Sequence, residues 1–144
     1  MLPRVLPEFW TASSIVSTTS LASSHAGHGA NATESGWGIN FAHQGDIIFA
    51  TWFTYDASGK AWWLSMIANK TGPNTYAGDL LTTHGPAFSA MPFDPNAVTH
   101  ATVGHATLTF TGANTAQFAY TVNGVPQTKT LTRELFGTAP TCAF

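Results

Sequence analysis

The stretch Trp37–Ala68 constrains this chain more than any other. It reads as three extended segments, Trp37–His43, Ile47–Tyr55 and Lys60–Ala68, separated by Gln44-Gly45-Asp46 and Asp56-Ala57-Ser58-Gly59. Gly and Asp at these breaks suit hairpin turns, because glycine reaches a positive φ without steric cost and Asp caps its own turn. In the first segment Trp37, Ile39, Phe41 and His43 alternate with Gly38, Asn40 and Ala42. The second differs. Ile47, Phe49, Thr51, Phe53 and Tyr55 fall on one face, and Ile48, Ala50, Trp52 and Thr54 on the other. The third segment is likewise apolar on both sides, with Trp62 and Trp63 pointing oppositely. A sheet with one wet face alternates more cleanly. Both faces of this hairpin are therefore expected to be sheltered from water.

The strand rhythm continues after Ala68. A turn at Thr71–Asn74 leads into Thr75–Thr83, and Ala101–Phe110, Thr115–Val122 and Gln127–Leu135 follow. Asn123-Gly124 is a strong signal for a two-residue hairpin. His84–Asn96 breaks the rhythm with Pro86, Pro92 and Pro95, so it cannot be a central strand. Its Phe88, Met91 and Phe93 predict a packed flap across a barrel mouth or sheet edge. No segment holds a helical period over ten residues. The expected fold is all-β, a single antiparallel meander of seven or eight strands closed as a barrel or folded as a sandwich. Residues 1–33 read as an N-terminal arm or extra strand, with His25-Ala26-Gly27-His28-Gly29 as a flexible loop. Residues 34–136 are the meander, and 137–144 a tail.

Composition narrows the function. The 144 residues suit one domain. Charged residues make up only 8%, against roughly 25% in ordinary soluble proteins. A net charge of −2 with five Lys plus Arg leaves no basic stripe for nucleic acid. No apolar run approaches the roughly 18 residues of a spanning helix. The single cysteine, Cys142, cannot form an internal disulfide. Low charge and many threonines suit a secreted or surface protein, although residues 1–24 lack the apolar core of a signal peptide.

The run Glu34-Ser35-Gly36-Trp37-Gly38-Ile39-Asn40, then His43-Gln44-Gly45-Asp46, Phe49–Asp56, Gly59 and Trp62-Trp63, resembles a family of small secreted or surface β domains of proteobacterial proteins. The resemblance covers residues 34–136. It implies a bacterial extracytoplasmic β domain, and it brings no catalytic residues to transfer. The Trp-bearing strands and short turns are also similar to avidin- and lipocalin-like meander barrels, an architectural likeness that names no ligand.

Candidate site residues follow from side-chain chemistry. Flat aromatic rings stack on sugar rings or other flat ligands, so Trp52, Trp62, Trp63 and Tyr55 are the leading ligand contacts, gated by Phe88 and Phe93 of the flap. One of Trp62 and Trp63 must serve the core. His25 and His28 have an H-x-x-H spacing that needs a third ligand, such as His84 or His100, to hold zinc or copper. His100 and His105, five apart on one strand, should face opposite sides. Glu34 and Asp79 are the carboxylates open to pairing, without a spacing that fixes a glycosidase geometry. No nucleophile elbow, P-loop or dinucleotide fingerprint occurs. The sequence thus favours a non-catalytic extracytoplasmic module, needing no cofactor, that binds a glycan or small apolar ligand. The alternatives are a subunit of a homo-oligomer or filament assembled through the arm and apolar strand faces, and a small metal-dependent enzyme using His25 and His28.

Overall fold

The computed structural model describes residues 27–30, 34 and 36–134. Eight strands run in chain order around a closed barrel: β1 (Gly27–Ala30), β2 (Gly38–Gln44), β3 (Ile47–Tyr55), β4 (Ala61–Gly72), β5 (Thr75–His84), β6 (Thr99–Phe110), β7 (Thr115–Val122) and β8 (Val125–Glu134). Each pairs antiparallel with the next, and β8 returns to β1 through Gly29 opposite Arg133. The meander is therefore a barrel and not a sandwich. Its closing strand lies in the segment read from sequence as a flexible loop. Two glycines and an alanine among its four residues carry no β-propensity, so the pairing to β2 and β8 overrides the local signal.

The turns follow their chemistry. Asn123 and Gly124 both hold positive φ, 48° and 81°, as the two-residue hairpin between β7 and β8 requires. The Asp56 carboxylate accepts from the Ser58 amide, the Ser58 hydroxyl and the Lys60 amide, which ties the β3–β4 turn. Alternation then sends one set of side chains inward. Ile39, Ile48, Leu64, Met66, Leu80, Leu108, Phe118 and Leu131 are fully buried. Ala50, Ala68, Ala106 and Ala116 fill between them, so large and small residues interleave across a narrow interior. One end of the barrel is stopped by rings. Phe41 and Tyr76 each meet Phe110 edge-on at 6.0 Å, and the Tyr76 hydroxyl lies 3.1 Å from His43 Nε2.

The wall bends at β6. Leu80 pairs with Gly104 but Leu81 with Thr102, so Val103 is an extra residue, a β-bulge. The bulge shifts the phase of the strand. His100 and His105, expected on opposite faces, pair with Thr83 and Asp79 on the same outer face, and both are exposed. The bend also brings the β7 backbone against Gly104, where a Cβ would sit 1.9 Å from the Thr121 carbonyl oxygen.

The outer wall is divided. β6, β7 and β8 turn threonines outward, among them Thr107, Thr121, Thr128 and Thr130. β3 and β4 turn out Ile47, Phe49, Phe53, Tyr55, Trp63 and Ile67, each 47–56% exposed. The expected cover on both faces of this hairpin is thus present on the inside and missing on the outside among the described residues. The flap expectation is corrected as well. In the β5–β6 loop, residues 85–98, Phe88 and Met91 stand almost wholly in solvent, and Phe93 is more than half exposed. Internal bonds shape the loop: Ala90 N–H to Ala87, Ala97 N–H to Asp94, and the Asp94 carboxylate capping Asn96. Among the described residues no helix is long and apolar enough to cross a membrane.

Because the atom a Cβ would strike is backbone, Gly104→Ala is expected to cost at least about 2 kcal/mol in urea unfolding. A variant as stable as the parent would show that the β6–β7 approach is looser than described.

Candidate ligand site at the barrel mouth

The end opposite the ring plug carries the β1–β2, β3–β4, β5–β6 and β7–β8 connections. There the interior filling stops short and leaves an open cavity of about 430 Å³. This lies within the roughly 300–1,000 Å³ range of small-molecule sites.

Each wall follows from strand parity. On β3 the inward series Ile48, Ala50, Trp52 ends at Thr54 on the rim. Trp52 is 6% exposed and closes the cavity toward the core, with its ring 5.1 Å from Phe118 and 4.6 Å from Tyr120. On β4 the inward member of the tryptophan pair is Trp62, whose indole N–H donates to Thr82 Oγ1 at 3.1 Å. On β7 the inward series Ala116, Phe118 continues to Tyr120, whose hydroxyl donates to Gln127 across the hairpin at 2.7 Å. Burial holds the Tyr120 phenol above its ordinary range, so it is neutral and a donor at physiological pH. Trp37, just before β2, completes an aromatic lining with Trp52, Trp62, Tyr55 and Tyr120.

A charged clamp fixes one side. Glu34 accepts from Lys129 Nζ at 2.6 Å and from Trp37 Nε1 at 3.2 Å, and Lys129 lies 5.8 Å from the centre of the Trp37 ring. Both rings of contact orient Trp37: a hydrogen bond in its plane and a cation over its face. The Lys129 ammonium holds the Glu34 carboxyl below the usual carboxylate range, and Glu34 in turn raises Lys129. Asp56, also on the rim, is held low first by the Ser58 hydroxyl and then by the Lys60 amide.

Trp52 carries an unusual feature. Its indole N–H is buried and finds no acceptor among the described residues. An unpaired buried donor costs about 1–3 kcal/mol, and such groups tend to mark functional places.

The candidates from sequence divide cleanly. Trp52, Trp62 and Tyr55 line the cavity. Trp63 faces the outer wall, half exposed, and Phe88 and Phe93 do not line the cavity. Glu34 does not meet Asp79; it pairs with Lys129, while Asp79 pairs with His105 on the outside. His25 lies outside the described residues, and of His28 only the backbone in β1 is described. Among the described residues no three His, Cys, Asp or Glu converge as a metal site would require. Sequence reasoning missed Tyr120, Gln127, Lys129 and the role of Trp37. Asn123-Gly124 did contain one clue, since a two-residue turn there places Gln127 opposite Tyr120. Comparison with protein-family models, with curated proteins and with solved structures found no match.

The clamp makes a signed pH prediction. Glu34 binds its proton less tightly in the folded chain than in the unfolded one. Its contribution is therefore present at neutral pH and is lost as pH falls through the lowered folded pKa. Carboxyl NMR is expected to place the Glu34 midpoint below the usual range, and Lys129→Met to move it upward. An unmoved midpoint would remove Lys129 as the cause.

Proposed function

We propose that this chain is a non-catalytic extracytoplasmic binding module that takes a neutral glycan in the barrel mouth. The observation that carries this reading is the combination of indole and phenol faces from Trp37, Trp52, Trp62 and Tyr120 around one cavity rimmed by neutral hydrogen-bonding groups. Sugar rings present apolar C–H faces and a perimeter of hydroxyls. The faces stack on aromatic rings, and the hydroxyls need donors and acceptors at the edge. Thr54, Asn123 and Gln127 supply those at the rim. A purely apolar ligand would cover these groups without pairing them, at a cost of about 1–3 kcal/mol each. The glycan is therefore favoured over the small apolar ligand.

Charge supports the neutral choice. Glu34 and Lys129 neutralise each other, and Asp56 is engaged by its own turn. Hydrolysis of a glycoside requires one carboxyl to keep its proton near neutral pH. Glu34 and Asp56, the two mouth carboxylates, are both held low, so neither is set up as that acid. Low charge and the resemblance of residues 34–136 to bacterial extracytoplasmic β domains support the proposed secreted or surface setting.

Titration of tryptophan fluorescence against a panel of neutral oligosaccharides tests the reading. At least one is expected to shift the emission saturably. Trp62→Ala is expected to weaken it by about tenfold or more, with Trp63→Ala close to the parent. Equal losses in both variants, or no response to any saccharide, would overturn the assignment.

A further inference from the structure

We propose that the outer wall of β3 and β4 is a homodimer interface, on which a second copy of this chain packs wall to wall. The inference does not rest on the glycan reading, because it uses the opposite face of the same strands.

The wall is built as a ridge. Phe53 pairs directly across from Trp63 and Phe49 from Ile67, with Tyr55 and Ile47 at the two ends. Along β3 the ridge runs about 26 Å, eight steps of roughly 3.3 Å. Its β2 margin is small and neutral, while its β5 margin carries Asp79 on the same outer face, paired with His105. Gly38 lies beside Phe53 and Ala42 beside Phe49 on β2, and Ala77 lies beside Asn69 on β5. A ridge with shallow margins is the relief that a two-fold packing uses, because the ridge of one copy seats against the margin of the other. The outward residues of β2, β3 and β4 include no charged side chain. A ridge with no charge of its own, and with the carboxylate on its β5 margin already paired with His105, needs no oppositely charged partner, and a second copy of itself meets that condition.

Magnitude supports the same occupant. Six large side chains, each about half exposed, present roughly 600 Å² of apolar surface, at or beyond the largest patch usual on a monomer. With the flanking strands this approaches the roughly 800 Å² per partner of a standard stable interface. A lipid surface is a poorer occupant. A barrel held in lipid is apolar around its whole circumference with a polar interior. Here the interior is apolar, and β6–β8 turn threonine, glutamine and histidine outward. The contrast between the halves of one wall marks a one-sided contact.

Sedimentation of the full chain in a reducing buffer tests the proposal, the reductant removing any dimer linked through Cys142. A species of twice the 15.2 kDa chain mass is expected at micromolar concentration. Trp63→Lys is expected to raise the dissociation constant by roughly a hundredfold while leaving far-UV circular dichroism unchanged. Ser65→Glu, at the middle of the ridge opposite Thr51, removes no apolar group and is expected to act the same way, which keeps the test open if Trp63→Lys misfolds. A monomeric full chain overturns the proposal, whichever segment then shelters the ridge. A dimer indifferent to both substitutions overturns it equally.

Discussion

Everything in this molecule depends on how little room an eight-stranded barrel encloses. Its interior admits side chains from facing strands only if large ones meet small ones. Leu64, Met66, Leu108 and Phe118 fill the axis because Ala50, Ala68, Ala106 and Ala116 leave them space. At one end Phe41, Tyr76 and Phe110 complete the filling as an edge-to-face cluster. At the other end the inward series finish in Thr54, Trp62 and Tyr120, and the rings line a space where further side chains would otherwise sit. The cavity is thus a consequence of where the packing stops. The core beneath it, where Trp52 meets Phe118 edge-on, forms its floor.

Two local departures from ideal packing gather at this mouth. The Trp52 N–H is buried unpaired, and Trp37, packed against the core, is held as well by a carboxylate and a cation. Elsewhere among the described residues no buried side-chain nitrogen or oxygen lacks a partner. A buried donor left unpaired where the others are satisfied is the kind of local exception that the proposed binding role would use. The same logic separates the mouth from the ring plug, where the polar groups of Tyr76 and His43 pair with each other.

Much of the fold was readable in the residues. The turns at Gly45, Asp56–Gly59 and Asn123-Gly124, and the alternation in Trp37–Tyr55, give the meander and most strand boundaries. What the pattern could not give was closure. Gly27–Ala30 has no strand propensity, and its place follows only from the edges that β2 and β8 offer it. The site inherits that limit. Trp52 and Trp62 are legible as aromatic residues on inward-capable positions, but Tyr120 meets Trp52 only because the sheet curls round to bring β7 against β3. The clamp of Glu34, Trp37 and Lys129 joins residues 95 positions apart and has no local signature. The opposite phases of Trp62 and Trp63 were evident; which phase faces inward is settled by the core, through Leu64 and Met66 on the same side as Trp62. The histidines show the reverse case, where one inserted residue, Val103, defeats a correct rule of alternation.

The β3–β4 hairpin explains why two surfaces of different character coexist in so small a chain. A strand has two faces, and a residue on one cannot serve the other without a register slip that would turn every neighbour with it. Trp52, Thr54 and Trp62 are therefore committed to the mouth, while Phe53, Tyr55 and Trp63 are left free of the core. Tyr55 alone bridges the two, lying on the rim of the cavity and at the end of the outer ridge. Tyr55 leads directly into the Asp56–Lys60 turn, whose Asp56 and Ala57 line the mouth. The two surfaces therefore meet at a single turn held by one carboxylate.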